Sequence, residues 1–210
     1  MRAVETPLGP DWGGRPLRTL ARRDRRDELS FELPLAGGDE PAKAAVTLDA
    51  IAAVFADLPA DDPVAGYAER LADPVLATRV RGFLTGSIDL VARIDGRHTV
   101  IDYKTNHLAL PGETPTAWHY RPAALAAAMQ DAHYPLQAAL YLVALHRFLR
   151  WRLAGYDPDE HLGGVAYLFL RGMTGTDGPL VDGRPCGVFA WQPPTSFVAA
   201  LSDVLDRGAE

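Results

Sequence analysis

The sequence predicts a mixed α/β fold with a central sheet, and three observations carry that expectation. Residues 86–106, "GSIDLVARIDGRHTVIDYKTN", read as a hairpin whose strands are nearly continuous Ile, Val and Leu, the pattern of strands buried on both faces. The run from Tyr134 to Tyr156 is the strongest helical stretch, with Gly155 near its end and Pro158 beyond. Along the chain the order is strand, helices, strand pair, helices, strand, helix, which suits a sheet covered by helices. With 210 residues, 48% of them hydrophobic, one domain can bury a substantial core.

Each element has its own local cause. Residues 1–26 are rich in Pro, Gly and Arg and are expected to be partly irregular, with "RTLARRDRRDELS" from Arg18 a solvated lead into a strand. A single domain is expected over 27–210. "ELSFELPL" alternates, placing Leu29, Phe31, Leu33 and Leu35 on one face, and Pro34 marks an end or an edge. "AKAAVTLDAIAAVFADLP" from Ala42 has helical spacing and stops at Pro59, and a short helix is expected over Val64 to Leu71. The strand "TRVRGFLTG" enters the hairpin. A Pro-rich loop then leads to the helical "AALAAAMQDAH". Gly163 to Gly172 is a short apolar run bounded by glycines, read as a buried strand. "MTGTDGPLVDGRPCG" is a loop with room for a small hairpin. The chain closes on an amphipathic helix with Thr195 or Ser196 as the expected N-cap.

Composition removes several function classes. A formal charge of −6 argues against a broad basic face gripping nucleic acid unaided, though a bound metal can supply local positive charge. Cys186 is the only cysteine, so there is no disulfide framework and no thiolate cluster for zinc or iron–sulfur. No apolar run approaches the ~20 residues of a membrane span, and the N-terminus lacks the apolar core of a signal peptide. A cytoplasmic protein without membrane contact is the expectation. There is no Gly-x₄-Gly-Lys-Ser/Thr loop and no Gly-x-Ser-x-Gly elbow, and Cys186 shows no sign of an activated thiol.

The hairpin carries the chemistry that survives. Asp95-Gly96 is a type I′ turn signal. That turn sets Ile94 against Arg97, Val91 against Val100, and Asp89 against Asp102. Directly opposed residues have Cβ atoms ~4.5–5.5 Å apart, where like charges destabilise the sheet. Lys104 lies two residues beyond Asp102 and shares its face, while Ile88, Leu90, Ile101 and Tyr103 are expected to point into a core. One reading is a surface hairpin with an ordinary salt bridge. The other is a metal site, because buried carboxylates need a partner. All-oxygen ligation favours a hard ion: Mg²⁺, with Mn²⁺ or Ca²⁺ able to take its place. Gln137 and Tyr141, four residues apart, share a helix face and either close off the core or point at a phosphate or a base. No His-x₃-His pair exists among His107, His119, His133 and His146. Metal-assisted hydrolysis is the chemistry these residues point to.

At these residues the chain resembles a known family. "GSIDLVARIDGRHTVIDYKTNHL" is similar to the D…(D/E)-x-K core of the PD-(D/E)xK nucleases. "AMQDAHYPLQAALYLVALHRFLRWRLAGYDPDEHLGGVAYLFLRGM" resembles the C-terminal nuclease domain of RecB-type subunits, with Tyr134, Gln137 and Tyr141 meeting the Tyr-x-x-Gln-x-x-x-Tyr pattern. The similarity runs from about Asp27 onward and is densest over 81–172. It implies a restriction-endonuclease-like mixed central sheet flanked by helices. It implies Asp89 and Asp102 as carboxylate ligands of a catalytic Mg²⁺, joined by the carbonyl of Tyr103, with Lys104 as a catalytic residue that orients water and stabilises developing charge. Glu28 matches a further acidic position, and Gln137 and Tyr141 support the site or the DNA. The family places a histidine ligand on a helix upstream of the Glu28 strand, and helicase domains before that; both are expected to lie outside this chain. The implied setting is double-strand-break repair, with single-stranded DNA and RecC-like and RecD-like subunits as partners. Two other readings stand beside it: a catalytically silent domain that docks onto a partner, and a stand-alone nuclease of the Cas4 or AddB type, which the single cysteine disfavours.

Overall fold

The structure is a computed structural model that describes residues 2–36, 45–72 and 79–208. Its main sheet has five strands: β1 (Arg25–Pro34), β4 (Phe83–Ile94), β5 (Arg97–Lys104), β6 (Leu162–Phe169) and β9 (Val188–Trp191), in the order β1-β4-β5-β6-β9. The short strands β2 (Val46–Thr47) and β3 (Arg79–Val80) form one ribbon, and β7 (Leu180–Val181) and β8 (Arg184–Pro185) form another. Among the described residues six α-helices accompany them: α1 (Leu48–Ala56), α2 (Tyr67–Leu71), α3 (Pro122–Asp131), α4 (Tyr134–Arg152), α5 (Pro158–His161) and α6 (Thr195–Arg207). The mixed α/β architecture is the one expected.

Two compact units divide the chain, and their boundaries fall inside β1 and β4. The first comprises Met1–Leu29, Ile88–Tyr134 and Glu160–Gln192. Its centre is β5, antiparallel to β4 and parallel to β6, which is in turn antiparallel to β9. Asp95 and Gly96 both have positive φ, 49° and 87°, as a type I′ turn requires, and the turn fixes the ladder from Ile94↔Arg97 through Val91↔Val100 to Leu90↔Ile101. All eight residues of β6 are buried, which accounts for its unbroken apolar sequence.

The N-terminal segment departs from expectation over its first half. Leu8, Trp12 and Leu17 are buried in one cluster with Leu90, Ile94, Ile101 and Leu168. Trp12 Nε1 donates to Thr99 Oγ1 at 3.0 Å inside that core. Trp12 and Leu17 sit on isolated 3₁₀ turns and Leu8 in irregular chain just before them, so no helical or strand period announces these residues. From Arg18 to Glu28 the chain is exposed or half-buried, as expected.

The second unit comprises Ser30–Ser87, Pro135–Asp159 and Pro193–Glu210. Leu33 and Leu35 are buried and Phe31 is half-buried, so the alternation of β1 holds. Phe55 meets Tyr67 and Phe197 edge-on, with centroids 5.1 and 5.0 Å apart. Arg147 of α4 ties that helix to α6, donating to Ser202 Oγ at 3.0 Å and Ser202 O at 2.8 Å while pairing with Asp206 at 2.7 Å. Several boundaries shift, among them the short helix expected from Val64, which begins at Tyr67, and the strand expected over "TRVRGFLTG", which is divided between β3 and β4. The helix expected from Ala42 begins at Leu48, because Thr47 caps it by accepting from Ala50 N–H at 3.2 Å and Val46 pairs in a strand; residues 42–44 lie outside the described residues. The long helix ends at Arg152. The N-cap of α6 is Pro194, and Thr195 instead donates its hydroxyl to Asp159.

Candidate active site

The candidate site is built where the regular pairing of β5 with its antiparallel neighbour ends. One step past Leu90↔Ile101 the register brings Asp89 opposite Asp102, but there the regular ladder ends. Asp89 Oδ2 takes over from a backbone acceptor and receives the Tyr103 N–H at 3.0 Å. On its other edge β5 stays paired with β6, Asp102 beside Tyr167 and Lys104 beside Phe169. The result is one exposed carboxylate, Asp89, tied to the strand that carries a buried one, Asp102, only 3% exposed.

Lys104 shares a face with Asp102 because strand side chains alternate. Its Nζ stands 2.7 Å from Asp102 Oδ2, with the two side chains 12% and 5% exposed. The same ammonium lies 4.0 Å from the ring centroid of Tyr134 and 5.0 Å from that of Tyr167, so aromatic faces hold it in place. Tyr134 is itself fixed, its hydroxyl donating to Asn106 Oδ1 at 3.3 Å and its ring 5.8 Å from that of Tyr167.

Electrostatics and satisfaction point the same way. Burial pushes the Asp102 carboxyl above the usual aspartate range, Lys104 pulls it back, and the charge of Asp89 pushes it up again. Asp102 Oδ2 is buried 2.7 Å from the Lys104 ammonium, an ion pair, and no hydrogen bond of good geometry reaches that oxygen among the described residues. A buried carboxylate oxygen in that state is under-coordinated. Two carboxylates and the Tyr103 carbonyl are hard oxygen donors, so the residues present fit a Mg²⁺-like ion that keeps several waters. Among the described residues no three His, Cys, Asp or Glu side chains gather to hold a metal.

Other expected residues fall elsewhere. Tyr103 does not enter a core: it is 39% exposed, because the apolar cluster on its side of β5 stops at Ile101. Its phenol is held above the usual range by partial desolvation, then by the charges of Asp27 and Asp89. Glu28 is exposed on β1 with a left-handed φ of 53°, and it is Asp27, not Glu28, whose charge reaches Tyr103. Gln137 and Tyr141 belong to the second unit, where Gln137 Nε2 donates to Tyr141 OH at 3.2 Å and the Tyr141 ring meets Phe31 edge-on at 6.0 Å. His107 bonds its own loop at Ala109 O, His119 forms a capping box with Thr116, and buried His146 meets Tyr156 OH at 2.9 Å. Tyr167 and Asn106 went unremarked in the sequence. Tyr167 is hidden in an unbroken apolar run, while Asn106, two residues past Lys104, offered a signal in its position alone.

Comparison with known proteins bears on this arrangement. Residues 18–205 match the family model of the PD-(D/E)XK nuclease superfamily. The chain is similar to the RecBCD enzyme subunit RecB of Mycolicibacterium smegmatis, 50% identical over 98% of this chain and 19% of that subunit. It is similar to the same subunit of Mycobacterium tuberculosis, 51% identical over 97% of this chain and 19% of the relative. Against that of Escherichia coli it is 38% identical over 96% of this chain and 15% of the relative. The chain thus spans about a fifth or less of the length of these relatives.

Proposed function

We propose that this chain, which belongs to the PD-(D/E)XK nuclease superfamily, is the metal-dependent DNA-hydrolysing domain of a RecB-type subunit. The observation that carries the proposal is Asp102: buried, with an oxygen lacking an aligned donor, beside a lysine held by two tyrosines. Asp89, Asp102 and the Tyr103 carbonyl would hold the ion. When bound, Mg²⁺ supplies Lewis-acid neutralisation of phosphoryl charge and makes a water more acidic.

The chain's own residues do the remaining work. Tyr103 N–H fixes one oxygen of Asp89, so that carboxylate is oriented rather than free to turn. The Tyr134 and Tyr167 rings restrain Lys104 at little entropic cost during reaction. The Lys104 ammonium then donates to oxygen charge that grows as the phosphodiester is attacked, the type of preorganised stabilisation that gives most in a water-poor site. Glu28 adds an exposed carboxylate on β1. The assignment of RecC-like and RecD-like partners rests on the relatives' description as subunits of a RecBCD enzyme, and that of repair and recombination on the family resemblance alone.

A second reading, a domain that docks without cleaving, is favoured by one observation: no third acidic, histidine or cysteine side chain joins the two aspartates among the described residues. The readings separate in a cleavage assay on single-stranded DNA with Mg²⁺, run on this chain and on a version extended upstream. Slow cleavage by the chain and faster cleavage by the extended protein, both lost in Asp102→Asn, support the nuclease. Inactivity of both proteins, with partner binding retained, supports docking.

A further inference from the structure

The segment just past Lys104 carries a surface that the chemistry above does not use. Residues 105–121 leave β5 and end in a 3₁₀ turn, Ala117–Tyr120, that packs against a second turn, Leu170–Gly172, at the end of β6. Tyr120 locks the two together. It is fully buried, its hydroxyl donates to Asn106 O at 2.9 Å, and its carbonyl accepts from Gly187 N–H at 2.8 Å. Gly172 permits the approach, since a Cβ there would lie 2.3 Å from Tyr120 Cβ. On this rigid mount Trp118 is displayed with 59% of its surface exposed. Arg121 is held over its ring, 5.3 Å from the centroid, by donating to Trp118 O at 3.1 Å. From the neighbouring turn, exposed Arg171 donates through Nε to Thr105 O at 2.9 Å, one residue from Lys104.

We propose that Trp118, Arg121 and Arg171 form a platform that holds single-stranded nucleic acid beside the Lys104 end of β5. The proposal deepens the nuclease reading and rests on it. A large aromatic face on a fixed turn stacks a base of any sequence, and guanidiniums at its edge pair with phosphates. Arg171 spends one N–H on Thr105 O, which aims the fork while leaving further donors for an anion. In a chain of net charge −6, two arginines beside an exposed tryptophan next to the carboxylate site are the local cationic handle that an acidic substrate needs.

The test uses the 210-residue chain with oligothymidylate in EDTA, so that binding is read without cleavage. Binding is followed by the fluorescence anisotropy of an end-labelled oligothymidylate, so that variants lacking Trp118 are read on the same scale as the wild type. Trp118→Ala is expected to weaken binding roughly five- to hundredfold, the range of base-on-aromatic stacking, and Trp118→Phe to restore most of it. Arg171→Ala should reduce the slope of log affinity against log salt by about 0.7, one phosphate contact on a single strand. Unaltered affinity in Trp118→Ala, or failure of phenylalanine to restore it, overturns the platform. If cleavage in that variant still depends on Asp102, the nuclease reading survives that failure. Absence of oligonucleotide binding by every form overturns both. Loss of a protein partner in Trp118→Ala with DNA binding intact assigns the surface to a protein interface and also overturns the proposal.

Discussion

Replacing Lys104 by methionine separates its two roles, because methionine keeps an apolar stem against Tyr134 and Tyr167 and removes only the charge. Without metal, Lys104 is the cation that offsets Asp102, and both side chains are close to fully buried, at 12% and 5% exposure. Removing one partner of a buried pair costs about 3–5 kcal/mol, and the residual exposure of Lys104 places this case near the lower end, about 3 kcal/mol. A domain of this size shifts by about 2–4 °C per kcal/mol, so Lys104→Met should melt about 6–12 °C below the wild type in EDTA. A divalent cation then supplies the missing charge. With two carboxylates and no ammonium the variant site binds Mn²⁺ more tightly than the wild type, and each tenfold excess over Kd adds about 1.4 kcal/mol. Thermal melts with and without saturating Mn²⁺ read this directly. The gap between variant and wild type should narrow on adding metal. A gap that stays the same or widens refutes the idea that Lys104 and the ion offset the same carboxylate.

Asp89→Ala and Asp102→Ala should each abolish Mg²⁺-dependent cleavage by the upstream-extended protein while leaving its melting transition cooperative; near-normal cleavage by either, in a gel assay on single-stranded DNA, contradicts the site. Because the folded pKa of Asp102 is raised, the folded state binds that proton more tightly than the unfolded one, and the cost of ionising it is fully present above the folded pKa. The stability of wild type relative to Asp102→Asn should therefore rise as pH falls through that pKa towards the ordinary aspartate value, measured by urea unfolding at stepped pH; a fall would contradict the assignment. Arg147→Met removes charge-assisted bonds to Ser202 and Asp206, worth about 2–3 kcal/mol together, and should lower the urea midpoint without moving the pH dependence of the Asp102 site.

What was legible in the sequence follows from period and turn chemistry. Asp95-Gly96 can form one tight turn with the correct twist, so the pairing of Leu90 with Ile101 was readable, and with it the approach of Asp89 to Asp102. Lys104 followed from the two-residue period. Tyr103 did not, because alternation says which side a residue takes and not where the cover on that side ends. Leu8, Trp12 and Leu17 were illegible for a related reason: they are core residues without a regular element, placed by tertiary packing alone. The four-residue β9 was too short to show a period. The sequence does not single out Arg171 and Trp118, because their meaning lies in the packing of two turns distant in sequence.

Metal binding by Asp89 and Asp102 underlies the proposed chemistry, and titrating Mn²⁺ into the 210-residue chain, followed by electron paramagnetic resonance, tests that binding most directly. That chemistry predicts one site with a dissociation constant on the order of millimolar, as for flexible hard-ion sites, weakened at least about tenfold in Asp89→Asn and in Asp102→Asn. Binding that is unchanged in Asp102→Asn would contradict it.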